Sequence, residues 1–182
     1  MQFSQCEIEG LVIIEPKVFG DERGYFFESY HKDKFRAFGL DLDFVQDNQS
    51  LSGKGILRGL HFQRPPHEQG KLIRVIDGAI IDVVVDIRKS SPTYGKTFQI
   101  ELNAENKTMF WVPPGFAHGF CTLEDHTIVT YKCTGLYNPQ EEDGLMWNDP
   151  DLDINWPLDA DPILSAKDQE YLPFSAFESP FE

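Results

Sequence analysis

Cysteine is scarce in this chain: Cys6, Cys121 and Cys133 are the only three. An odd number without paired spacing argues against a disulfide framework and against a cysteine-built zinc site, and it predicts a reducing compartment. Long apolar runs are missing as well. The chain nowhere carries the roughly 20 continuous apolar residues of a membrane helix, and no basic stretch followed by an apolar run opens it. The expectation is a soluble, cytoplasmic protein without a membrane partner. Basic residues are also few, 16 against 30 acidic ones for a net charge of -14, which disfavours nucleic acid as a partner. They are unevenly placed, with Lys167 the only one after Lys132, whereas Arg58, Arg64, Lys71, Arg74 and Arg88 cluster mid-chain. A local basic pocket in an acidic protein suits an anionic small ligand such as a phosphorylated metabolite.

Amphipathic helical periodicity is nearly absent too. Short apolar runs broken by Gly, Pro, Asn and Asp recur instead from Ile8 to Gly135, so the chain reads as mainly β. The clearest strand is Ala79 to Arg88, where Ile81, Val83, Val85 and Ile87 alternate with Asp82, Val84, Asp86 and Arg88. Further strands are predicted at Leu11–Ile14, Tyr25–Tyr30, Phe44–Asn48, Leu57–Gln63, Leu72–Ile76, Thr97–Leu102, Thr108–Val112 and His126–Cys133. So many short strands at close spacing favour a jelly-roll β-barrel with a few short helices. One helix is predicted over Lys32–Phe38, stopped by Gly39, and another near Ser165, where Asp168 three residues on resembles a capping box. The 182 residues, 41% of them hydrophobic, suffice for one domain whose acidic tail, residues 143–182, wraps the barrel.

Several polar side chains fall on these strands. Strict alternation in Leu57–Gln63 places His61 and Gln63 with Leu57, and Arg58, Leu60 and Phe62 on the other face. A bulge at Gly59 would change this and bring Arg58 and His61 to one cavity. His61 is then an acid/base candidate, although a histidine hydrogen-bonded in a polar core fits the segment equally. Lys71 shares the parity of Ile73 and Val75, so its ammonium either enters a cavity or snorkels from the strand start. Tyr131 alternates with Val129 and Cys133, which points it inward as an acid or as a structural hydroxyl. His118 closes a Pro-x-Gly-x-x-His arrangement typical of the second metal box of cupin barrels. The first box fails, because Gln63 stands where a His-x-His pair needs its second imidazole. Two histidines and an amide are a poor transition-metal set, so no metal and no cofactor are expected.

Beyond these, specific motifs run in order along the chain: Asp21-Glu22-Arg23-Gly24-Tyr25-Phe26, Phe44-Val45-Gln46-Asp47-Asn48, Gln69-Gly70-Lys71, Val85-Asp86-Ile87-Arg88, Ser91-Pro92-Thr93-Tyr94-Gly95, Trp111 to Phe120, Tyr131-Lys132, Trp147-Asn148-Asp149-Pro150, Ile154-Asn155-Trp156-Pro157 and Leu164 to Asp168. With them the chain closely resembles the dTDP-4-dehydrorhamnose 3,5-epimerase family, metal-free cupin homodimers acting on dTDP-4-dehydro-6-deoxy-D-glucose. The resemblance implies His61 as base with Asp168 as its dyad partner, Tyr131 as the acid across the ring, Lys71 beside the enolate oxygen and His118 close to the sugar. Arg23, Glu28, Gln46, Asn48 and Arg58 match substrate-holding positions, and Tyr137 matches the tyrosine that stacks on thymine. Amino-terminal strands exchanged within a dimer are implied as well. Spacing from Ser165 explains Asp168 equally well as a helix cap. A single-centre epimerase, a non-catalytic sugar-nucleotide binder and a metal-dependent cupin are the competing readings.

Overall fold

The computed structural model describes every residue from Met1 to Glu182. Two antiparallel sheets face each other. The six-stranded sheet runs in the order β1 (Gln2–Gln5), β2 (Val12–Glu15), β10 (Met109–Val112), β7 (Lys71–Asp77), β12 (Thr127–Cys133) and β5 (Gln46–Ser52). The five-stranded sheet runs β13 (Glu142–Gly144), β6 (Leu57–Gln63), β11 (Phe116–Thr122), β8 (Ala79–Asp86) and β9 (Thr97–Asn103). A separate hairpin joins β3 (Phe19–Asp21) to β4 (Gly24–Phe26). No helix is long and apolar enough to cross a membrane.

Three apolar layers explain why the central strands read as almost continuous hydrophobic runs. Between the sheets lie Ile73, Val75, Phe110 and Val129 of one and Ile80, Val84, Leu102 and Phe120 of the other. On the outer face of the five-stranded sheet, Val83, Val85, Ala117 and Cys121 pack under Leu145, Leu152 and Trp156 of the tail. On the outer face of the six-stranded sheet, Leu72, Met109 and Trp111 pack under Phe35 and neighbouring aromatics. Strands β8 and β11 are therefore covered on both faces, and burying each large apolar side chain contributes about 1.5–3 kcal/mol.

The mainly β, cupin-like fold agrees with the expectation, and the helix spans Lys32–Phe38 with Gly39 in the left-handed region at its stop. Element boundaries differ in instructive places. The expected strand Tyr25–Tyr30 keeps only its first two residues in β4, because Tyr30 leaves to pack edge-on against Phe35 and Phe44. The same packing delays β5, which begins at Gln46 and not at Phe44. The tail helix is a single 3₁₀ turn, Lys167–Gln169. Strands β1 and β13 had no period-two signal long enough to find.

The Val85–Arg88 and Ser91–Thr93 motifs prove to be one structural knot. Asp86 is fully buried at the end of β8, where its carboxylate accepts from Arg88 Nε at 2.9 Å, Ser91 Oγ at 2.6 Å and Thr93 Oγ1 at 2.7 Å. Burial pushes its pKa up, but these donors prevail and hold it at about 2, against an ordinary 3.8. The folded pKa lies below the unfolded one, so the stabilisation is complete above pH 3.8 and drains away as pH falls towards 2. Asp86→Asn is expected to lose at least about 2 kcal/mol at pH 7 in urea unfolding, with the gap to wild type closing over that acid window. A gap unchanged down to pH 2 would contradict the assignment.

Candidate active site

Strand β6 does not alternate strictly. His61 pairs with His118 of β11, yet Arg58 pairs with Phe120, so three steps along β6 span two along β11. The slip falls at Gly59, whose φ is 130° and where a Cβ would stand 2.5 Å from the Cα of Gly119 and 2.9 Å from the His118 carbonyl oxygen. Only glycine allows the two backbones to approach so closely with this φ. The consequence is a switch of faces. Leu57 joins Leu60 and Phe62 in the outer apolar layer, while Arg58 and His61 both line the cavity between the sheets. Strict alternation, which grouped Leu57 with His61 and sent Arg58 to the other side, is corrected here, and the alternative expected of a bulge at Gly59 holds.

That cavity has a volume of about 380 Å³, within the range of small-ligand sites. Arg58 and His61 enter it from the five-stranded sheet, and Lys71, Tyr131, Gln46 and Asn48 from the six-stranded sheet opposite. Tyr137, from the loop after β12, closes one side. Seven residues singled out in the sequence thus meet in one place. Four do not line it. His118 sits buried beneath, Asp168 stands behind His61, and Arg23 and Glu28 lie away on and beside the hairpin, paired with Asp21 and Lys34.

Two histidine–carboxylate pairs organise the electrostatics. The Asp168 carboxylate lies 2.5 Å from His61 Nε2, with side-chain exposures of 3% and 27% respectively. Burial pushes the Asp168 carboxyl up, but the hydrogen bond and charge of His61, together with Ser165, hold it below its ordinary value. An ionised partner fixes the ring and leaves the second imidazole nitrogen for the cavity. The Asp168 N–H also donates to Ser165 Oγ at 3.2 Å, so the residue contacts both Ser165 and His61. His118 Nε2 lies 2.9 Å from Asp82, both buried, and burial lowers the His118 pKa although Asp82 opposes it. Burial likewise lowers the Lys71 pKa, against Cys133, Asp82 and Glu142, which raise it. The Tyr131 phenol is pushed up by burial, so it keeps its proton at neutral pH and can donate it. No three His, Cys, Asp or Glu side chains gather as a metal cluster.

Sequence reasoning missed several contributors. Asp82 was visible as a carboxylate in the parity of Ile80 and Val84, the signature of a buried polar group awaiting a partner. Glu142 and Lys167 gave no such signal. Glu142 accepts from Tyr137 Oη at 2.6 Å and from the Lys167 ammonium, tying the loop to the tail at the cavity edge. Tyr171, also unforeseen, packs edge-on against His61 with ring centroids 5.7 Å apart.

The dTDP-4-dehydrorhamnose 3,5-epimerase family profile matches residues 5–176. The chain belongs to this family. It is 51% identical over 174 residues to the dTDP-4-dehydrorhamnose 3,5-epimerase of Methanothermobacter thermautotrophicus, covering 94% of each chain. Among solved structures, it superposes with a TM-score of 0.95 and 43% identity on a Legionella pneumophila dTDP-6-deoxy-D-glucose-3,5-epimerase in complex with dTDP-4-keto-L-rhamnose, over 100% of this chain and 98% of that one. With the Bacillus anthracis dTDP-4-dehydrorhamnose 3,5-epimerase, which holds TDP and PPi, the TM-score is 0.91 and the identity 47%, over 93% and 97% of the chains.

Proposed function

We propose that the chain epimerises C3 and C5 of dTDP-4-dehydro-6-deoxy-D-glucose, giving dTDP-4-dehydro-L-rhamnose in dTDP-rhamnose biosynthesis, with His61 as base and Tyr131 as acid. It is an isomerase, on the strength of near-full-length relatives at about half identity. One observation carries the assignment of roles: His61 and Tyr131 enter one cavity from opposite sheets. Inverting a carbon beside a ketone requires removing a proton from one face and delivering one to the other, which a base and an acid on facing walls can do.

In this reading the 4-ketone acidifies the hydrogens at C3 and C5. His61, oriented by Asp168, takes each proton, and the carbonyl becomes an enolate whose oxygen is met by Lys71, with His118 near the sugar. Fixed positive charge where an oxyanion develops needs no reorganisation during reaction, so no metal enters the scheme. Tyr131 then protonates the carbon from the far face as the enolate returns to the ketone, and before the second centre reacts His61 gives up its proton to solvent and Tyr131 regains one. Arg58 serves the diphosphate, Gln46 and Asn48 help to hold the nucleotide, and Tyr137 stacks on the base.

The homodimer belongs to the same proposal. Phe19, Tyr25 and Phe26 of the hairpin are exposed, and Arg23 and Glu28 do not reach the cavity of their own chain, which supports exchange of these amino-terminal strands so that both serve the partner's site. The chain then acts as one domain, with tail residues 143–182 placing Asp168. Three free thiols fit a reducing, cytoplasmic setting.

The test is incubation with the dTDP-4-keto sugar in heavy water, followed by reduction and analysis of the sugar. Deuterium at both C3 and C5 with inverted configuration at each is the expected result. Label and inversion at one carbon alone would reassign the chain as a single-centre epimerase, and no label at either would make it a binder.

A further inference from the structure

Gln63, the amide that stands where a metal pair would need an imidazole, also borders the cavity. In the structure it is buried at the end of β6, two positions from His61, and its amide is committed on all sides. Nε2 donates to the His67 carbonyl at 2.5 Å and to the Leu136 carbonyl at 3.2 Å, and Oε1 accepts from the Asn138 N–H at 2.7 Å. Leu136 and Asn138 flank Tyr137, so one side chain grips the backbone on both sides of the ring that faces the cavity. The Tyr137 N–H itself donates to Gln46 Oε1 at 2.9 Å.

Gln69 Nε2 donates to the Gly135 carbonyl at 2.8 Å and Tyr137 Oη to Glu142 at 2.6 Å, but these partners and Gln46 are only half-buried, and Gln63 is the buried anchor of the stretch. The stretch lies outside any helix or strand, and Leu136 and Tyr137 are 65% and 49% exposed, so apolar burial does not hold it in place. Hydrogen bonds do. A loop anchored only by polar contacts samples more conformations when a buried anchor is removed, and a ligand that needs one of them then binds more weakly by the fraction of competent states lost.

We propose that Gln63 is a positioning residue that presets Tyr137 for the nucleobase and so sets nucleotide affinity, without a part in proton transfer. This rests on the reading that Tyr137 stacks on the base. It also accounts for an amide at this position: only a group with donors and an acceptor can hold two carbonyls and an N–H together.

The test is a double-mutant cycle of Gln63→Met and Tyr137→Ala, with dTDP affinity measured by calorimetry and KM and kcat measured on the keto sugar. Gln63→Met is expected to raise both the dTDP Kd and KM about tenfold, the loss of one or two net hydrogen bonds, and to leave kcat within about twofold. In the Tyr137→Ala background the same change is expected to add less than about twofold. If Gln63→Met does not fold, Gln63→Asn, whose shorter amide cannot span the three groups, takes its place with the same expectations. Unaltered dTDP affinity in Tyr137→Ala would overturn the stacking reading and the Gln63 role with it. Weakened affinity in Tyr137→Ala, combined with a Gln63 effect that is absent, falls on kcat, or multiplies undiminished in the double variant, would overturn the Gln63 role alone.

Discussion

Replacing His61 by alanine is expected to lower the rate of solvent proton exchange at both C3 and C5 by ~10²–10⁴-fold while leaving dTDP affinity nearly intact. Both centres should suffer together, because one imidazole faces the cavity from the five-stranded sheet and its pairing with Asp168 fixes which nitrogen is free. Nucleotide binding should be spared, since Gln46, Asn48 and Tyr137 reach the cavity from β5 and the loop, and Arg58 stands three residues from His61 on β6. The substitution also strands a buried carboxylate: Asp168, 3% exposed, loses the partner that keeps its pKa low. Some stability is therefore lost for reasons unrelated to catalysis. His61→Asn separates the two effects, because an amide offers Asp168 a hydrogen-bond donor but cannot serve as a base at neutral pH. Both variants should be equally inactive, and the asparagine variant the more stable. Exchange at wild-type rate in either one would remove His61 from the base position. Loss at C3 with retention at C5, or the reverse, would require a second base.

The β character and most strands were legible because apolar runs broken by Gly, Pro, Asn and Asp report burial directly, and the helix because Gly39 supplies its stop. What periodicity could not resolve was the face on which site residues lie. In β6 the glycine marked a possible bulge at Gly59 but could not decide for it, because the slip depends on the close approach to Gly119, a residue 60 positions away. In β7 and β12 the register slips only between Ile128 and Val129, so alternation holds over Lys71–Val75 and Val129–Cys133, and Lys71 and Tyr131 take the inward parity read from the sequence. The motifs that carry the family resemblance proved mixed in role: His61 and Tyr131 meet in the cavity, whereas Asp86, Arg88, Ser91 and Thr93 form a buried knot at the end of β8. Glu142 and Tyr171 escaped notice because the first meets Tyr137 of a loop and Lys167 of the tail, and the second reaches His61 of β6 from the tail, through contacts made only after the chain has closed on itself.

Tyr131→Phe should uncouple proton removal from inversion. The substitution keeps the ring and its packing between the strands, so the fold should survive with a loss under about 1.5 kcal/mol. His61 remains paired with Asp168 and can still take a proton from C3 or C5. Its imidazole is 27% exposed, enough to trade that proton with solvent before returning it to the face it left. Delivery to the opposite face is what fails, because burial keeps the wild-type phenol protonated and phenylalanine has no proton to give. In heavy water the variant is therefore expected to incorporate deuterium with retained configuration, while inverted sugar forms ~10²–10⁴-fold more slowly than in wild type. The combination distinguishes an acid from a structural hydroxyl: loss of a merely structural group would depress exchange and inversion alike. If Tyr131→Phe yields epimerised product at the wild-type rate, the proton comes from elsewhere, and Lys71, the cation on the same sheet with its pKa lowered by burial, becomes the group to test next.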